Sequence, residues 1–197
     1  EGTIREYYDL RKQLDAFADD VQHVITHPNY SLTYIHPGRL IHVKYKDADF
    51  GWGVVINQKK RKQANNETEK FSPHQSHIVD VLMRMSGGSS IGTKSFQDLP
   101  PGVRPAKEGE PTRSEVVPIV LSCITEISHI RIMLPKDITS PGSRNDVMKS
   151  VDEVKRRFPD GVPLLDPIEN MQIKDESFKK LLRVRRDSFA LRHYSLC

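Results

Sequence analysis

Apolar and polar positions along the chain change rhythm twice. Ile4, Tyr7, Leu14, Ala18, Val21 and Ile25 recur at spacings of three and four, broken only at Arg11, which predicts a helix laid along another helix. Pro28-Asn29 ends it, because proline disfavours helix in the residue before it. From about residue 36 the period drops to two. Ile41, Val43 and Tyr45 fall on one strand face and Leu40, His42 and Lys44 on the other. Asp47-Ala48-Asp49 reads as a hairpin connection, after which Trp52, Val54 and Ile56 share a face. Further strands are expected at His77–Met83, Val116–Leu121 and Ile130–Leu134, the second at an edge because Pro118 cannot donate to a ladder. The helical period returns with Val147, Val151, Val154 and Phe158, stops at Pro159-Asp160-Gly161, and passes through an apolar connector over 163–168. It resumes with Phe178, Leu181, Leu182, Arg185 and Phe189 behind a capping Asp175.

These elements predict an α+β chain in three parts: an N-terminal helix over 1–35, a small antiparallel β-barrel over 36–137, and C-terminal helices over 138–197. A barrel set between helices resembles a head on a stalk, entered and left from its helical end. Two polar stretches, 58–76 and 86–113, are expected as mobile loops within it.

Composition narrows the class. At 197 residues, 37% hydrophobic and 28% charged, the chain suits a water-exposed fold of one or two compact units. No apolar run approaches the roughly 18 residues a membrane span needs. Glu1-Gly2-Thr3-Ile4-Arg5 is not a signal peptide and reads as the edge of a piece of a longer chain. Cys123 and Cys197 form no disulfide framework or zinc knuckle, and a reducing compartment is the simpler reading. The sequon Asn66-Glu67-Thr68 matters only in a secreted chain. Net charge is +4 but uneven: residues 1–35 carry three cations against six carboxylates, so the rest carries +7. A basic middle and tail suit an acidic partner, nucleic acid or acidic peptide; a solvated surface is the equally weighted plainer reading.

Catalysis finds no support. Gly88-Ser89-Ser90-Ile91-Gly92 is a literal G-x-S-x-G, but Lys94 to Pro101 cannot supply the helix a nucleophile elbow requires. His74 and His77 would need further ligands converging from elsewhere to hold a metal and read as ordinary surface residues, and no phosphate-cradling loop exists. The chain is expected to be non-catalytic.

Binding is better served. Lys44, Lys46 and the run Lys59-Lys60-Arg61-Lys62, with Trp52 as a stacking surface, form a candidate RNA-binding set. The competing reading puts Trp52 in the core and leaves the run to solubilise a loop. Arg39 and Arg131 interrupt apolar strands, an arrangement that can grip a carboxylate while neighbours take aliphatic side chains; Asp80 on another strand is a candidate partner for them. An ordinary barrel salt bridge is the alternative.

"PGRLIHVKYKDADFGWGVVIN" (37–57), "ISHIRIMLPKDI" (127–138) and "VDEVKRRFPDGVPLLDPIENMQIKD" (151–175) occur in one order. Together they resemble the arch insertion of the nuclear exosome-associated DExH-box RNA helicases of the TRAMP complex, over about Tyr7 to Tyr194. The resemblance implies a KOW, SH3-like barrel on helical stalk segments. It implies no cofactor in this piece, with ATP and Mg²⁺ confined to a helicase core outside it. It implies location in the nucleus and nucleolus and a role in rRNA processing and RNA decay. The implied partners are structured RNA, the RNA exosome through the parent helicase, and adaptor proteins bearing short hydrophobic-acidic arch-interacting motifs. The implied docking residues are Arg39, Leu40, Asp80, Ile130 and Arg131. The alternatives are a barrel that primarily binds RNA, or a structural spacer.

Overall fold

The computed structural model describes residues 2–62, 70–92 and 95–194; the sequon at 66–68, Lys94, Cys197 and the side chains of Arg185 and Phe189 lie outside the described set. The chain forms two compact units, residues 26–165 and residues 1–25 with 166–197. In the second, α1 (Gly2–Ile25) packs alongside α4 (Glu176–Tyr194). The backbone N–H of Phe178 donates to Asp175 Oδ1 at 2.7 Å, the cap expected for α4. Along α1 the apolar stripe is uneven: Val21 is buried, whereas Ile4 and Tyr7 stand exposed. No helix among the described residues is long and apolar enough to cross a membrane.

The larger unit opens with a single helical turn, α2 (Pro28–Ser31), and five antiparallel strands. They are β1 (Arg39–Tyr45), β2 (Ala48–Lys60), β3 (His77–Ser86), β4 (Thr112–Val120) and β5 (Ile124–Arg131), ordered β4-β3-β2-β1-β5. A 3₁₀ turn of three residues, Leu121–Cys123, joins the two edge strands. In a flat sheet four gaps of about 4.8 Å would hold those edges about 19 Å apart. A three-residue 3₁₀ turn rises only about 6 Å. The sheet therefore curls until its edges approach, which makes it barrel-like. Pro118 does lie on an edge strand. On its outward row Val120 N–H donates to Asp98 O at 3.1 Å and Ser114 O accepts from Arg144 Nε at 2.8 Å, so part of that edge is covered.

Both faces of the sheet are covered. Ile41, Val43, Val55, Val81 and Met83 are buried on one face. The other carries Leu40, Val54 and Leu82, which form one cluster with Val147, Met148 and Val151 of α3 (Pro141–Arg157). This differs from the expected grouping: α3, read with the C-terminal helices, packs on the sheet and lies in the barrel's unit. Ser140 caps it, accepting from Ser143 N–H at 3.1 Å. Pairing of Tyr45 with Ala48 makes the hairpin turn Lys46-Asp47, one step earlier than expected, with Lys46 at φ 52°.

Two expected elements move. The last strand runs over 124–131, not 130–134. Ile132 and Leu134 pack against the α3 cluster outside the ladder. The stretch expected as a loop over 86–113 begins and ends in strand residues and is heavily bonded between. Arg104 donates to both oxygens of Glu110, at 2.7 and 2.5 Å, and Glu110 also accepts from Ser86 Oγ and Lys107 N–H.

Candidate functional site

Gly38 sets the first arginine. It adopts φ +91°, and a Cβ there would collide with the carbonyl oxygen of Ile132. Its N–H donates to Val55 O and its carbonyl accepts from Ile132 N–H, both at 2.7 Å, so the backbone before Arg39 is clamped from both sides. Arg39 then pairs with Arg131 across β1 and β5. Arg39 is buried, at 9% exposure. Its Nε donates to Tyr34 O at 2.9 Å and its Nη1 to Ser128 O and His129 O at 3.3 and 3.1 Å. Burial, and then the neighbouring Arg131, hold its guanidinium below the ordinary arginine range. Arg131 is exposed, and its Nη2 donates to Pro37 O at 3.2 Å. Among the described residues no carboxylate forms an ion pair with either arginine.

The other expected docking residues divide differently. Leu40 is fully buried beneath α3 and cannot touch a peptide on the native surface; that expectation is corrected. Ile130 is half-buried and leans on the same cluster. Asp80 lies on β3, separated from β1 by β2, and its ion-pair partner is Lys59 at 4.0 Å, so it is not the partner of Arg39.

The expected RNA set is not one patch. Lys44 and Lys46 are exposed at the β1–β2 hairpin, whereas Lys59, Lys60 and Lys62 are exposed at the far end of β2. At about 3.4 Å per residue, the ten residues from Asp49, which pairs with Lys44, to Lys59 cover on the order of 30 Å along the strand. Trp52 is half-buried against the α3 cluster, its ring edge-on to His42 at 5.4 Å, so packing claims much of it. Arg61 is half-buried and held by other segments of the barrel's unit. Its guanidinium donates to Gln97 O at 2.7 Å and to Phe96 O, and stacks 4.2 Å from the Phe71 ring centroid.

Several interactions had no reading in the sequence. His42 Nδ1 lies 2.6 Å from Thr125 Oγ1 and its Nε2 3.2 Å from Asp49 Oδ1, joining three strands. Strand alternation put His42 on the face of Leu40 and Lys44, but only the fold brings Thr125 to it. His74 is buried and stacks edge-on with His27 at 5.6 Å, not at the surface as histidines of that spacing suggest. Among the described residues no three metal-ligating side chains gather. Ser90 of the G-x-S-x-G stretch is exposed, on a loop with no following helix. Cys123 is buried, which pushes its thiol up to about 12.

A curled five-stranded antiparallel sheet, edges joined by a 3₁₀ turn and one face roofed by a helix, is a β-barrel-like domain of the α+β class. The family model for the Mtr4-like β-barrel domain matches residues 27–190, and the chain belongs to that family. It is 40% identical over 183 residues to the ATP-dependent RNA helicase mtr4 of Schizosaccharomyces pombe, covering 93% of this chain and 16% of that protein. Against the Exosome RNA helicase MTR4 of Mus musculus it is 38% identical over 195 residues, covering 99% of this chain and 18% of that protein. Against the DExH-box ATP-dependent RNA helicase DExH10 of Arabidopsis thaliana it is 30% identical over 183 residues, covering 92% and 18%. The chain thus spans less than a fifth of the length of these relatives.

Proposed function

We infer that this chain is the non-catalytic arch barrel of a nuclear ATP-dependent RNA helicase that works with the RNA exosome, and that it recruits adaptor proteins through short hydrophobic-acidic motifs. ATP and Mg²⁺ chemistry belongs, on this reading, to a core outside the chain. One observation carries the docking role. Two arginines are Cα partners on adjacent strands, and neither has a carboxylate partner among the described residues. Placing like charges side by side costs free energy unless an anion answers them. A motif carboxylate docked on exposed Arg131, with Arg39 holding the underlying backbone, answers them with a charge-assisted hydrogen bond.

Titration calorimetry with a synthetic peptide carrying an aliphatic-aromatic pair and an aspartate tests this. Arg131→Glu removes binding, Arg131→Lys retains part of it, and replacing the peptide aspartate by asparagine reproduces the loss. Unchanged affinity in Arg131→Glu overturns the docking role. Exposed Lys59, Lys60 and Lys62 support a second activity, contact with the phosphates of structured RNA, which predicts affinity falling steeply with salt. A structural spacer binds neither ligand.

A further inference from the structure

We propose that Arg61 is a positioning residue for RNA: it touches no phosphate and instead fixes the exposed lysines on either side of it. The proposal rests on the RNA reading above. In the run Lys59-Lys60-Arg61-Lys62 the three lysines are exposed, and Arg61 alone is half-buried. Its guanidinium donates to the carbonyls of Gln97 and Phe96, lies 4.2 Å from the Phe71 ring centroid and 5.5 Å from that of Phe96. Its backbone N–H donates to Ser76 O at 2.8 Å. One residue therefore ties the end of β2 to three other segments, at Phe71, Ser76 and Phe96-Gln97. With its terminal fork on two carbonyls and a ring against one face, the guanidinium is held by this chain's own groups, which suits a part in fixing the strand end rather than in reaching for a ligand.

What this supplies is rigidity. Lysine is a point charge on a flexible stem, and ordering it costs entropy at each contact. A fixed backbone beneath Lys60 and Lys62 lowers that cost for a partner whose phosphates are themselves fixed, which is the property of folded RNA rather than of a flexible polyanion.

The test measures binding of a labelled RNA stem-loop across a salt series, with the whole chain and two backgrounds. In the wild-type background Arg61→Gln and Arg61→Lys are both expected to weaken binding by about tenfold, since a lysine cannot reproduce the two-carbonyl fork. In Lys59→Gln/Lys60→Gln/Lys62→Gln, which itself flattens the log–log salt slope by about two to three, Arg61→Gln is expected to have no further effect. Melting curves confirm that every variant is folded at the assay temperature. If Arg61→Lys binds like wild type, or if Arg61→Gln removes about one more unit of slope in the triple background, Arg61 contacts phosphate directly and the proposal fails. No change in either background also overturns it. If the triple variant itself binds RNA normally, the RNA reading of this surface fails and the proposal falls with it.

Discussion

Arg84, on β3, meets a carboxylate; Arg39, on β1, meets another arginine. Arg84 donates Nη1 and Nη2 to the two oxygens of Asp152 on α3, at 2.7 and 2.6 Å. That bond holds the guanidinium above its ordinary range and the Asp152 carboxyl below its own. The α3-covered face is thus complete in itself: apolar cluster, helix cap and ion pair all find partners inside the unit. Around Arg39 and Arg131 the hydrogen bonds go to neutral carbonyls, and the charge finds no anion among the described residues. On the proposed docking reading, satisfied charge serves the fold and unsatisfied charge serves a partner. If that division is right, substitutions on the first face change stability and leave binding alone, and substitutions on the second do the reverse.

The largest effect belongs to the covered face. Leu40→Ala, beneath α3, is expected to cost about 2–5 kcal/mol of folding stability through lost burial and a cavity. Denaturant unfolding measures it. A loss of peptide affinity with stability unchanged would return Leu40 to the docking surface. Next comes Arg131→Glu, for which the two readouts separate. Peptide affinity should fall by about a hundredfold or more, as expected when a charge-assisted contact becomes a repulsion. Folding stability should hold or rise by up to about 1 kcal/mol, because the new carboxylate relieves the repulsion at Arg39. A clear loss of stability instead would mean that Arg131 is structural.

Asp152→Asn should lower stability at neutral pH by about 1 kcal/mol, a value set by the half-exposed position of the pair. The sign with pH follows from its lowered pKa. The wild-type advantage is fully present above the unfolded carboxyl's value near 3.9 and is lost as pH falls through the lower folded value. Unfolding curves of both proteins should therefore converge in acid, with peptide affinity equal throughout at neutral pH.

The elements themselves were largely legible in the sequence. Val147, Val151 and Val154 announced α3, Pro118 announced an edge, and Asp175 announced a cap, because each is a local rule written within a few residues. What escaped was set by distant neighbours. Leu40 shares its strand face with polar His42 and Lys44, and only a helix a hundred residues later covers it. Arg61 has the same chemistry as the lysines beside it, and Phe71 and Phe96 decide that it turns inward. Strand β5 hid because its buried Ile124 and Ile127 stand three residues apart, a spacing accommodated by the register shift opposite His42–Val43. The arginines were noticeable for standing among apolar residues, but their adjacency is a product of strand register, which the sequence does not carry.

The smallest expected effect tests whether a second like-charge pair follows the same logic. Lys60 and His77 are Cα partners across β2 and β3, and His77 Nδ1 lies 2.8 Å from Ser76 Oγ. Burial first, and then Lys60, lower the His77 pKa below its ordinary value. The folded protein therefore binds this proton less readily than the unfolded chain, whose histidine titrates near 6.5. Above that pH neither state is protonated and the pair costs nothing. As pH falls through 6.5 and on through the folded value, the unfolded chain takes up the proton first and stability declines. The difference in unfolding free energy between wild type and His77→Gln should show this decline on the acid side alone. An anion placed beside Lys60 answers the pair's charge, so stem-loop RNA should raise the His77 pKa and draw in protons on binding. A pH titration of the imidazole by NMR, with and without RNA, reads that shift. An unmoved His77 would mean that RNA phosphates do not approach Lys60.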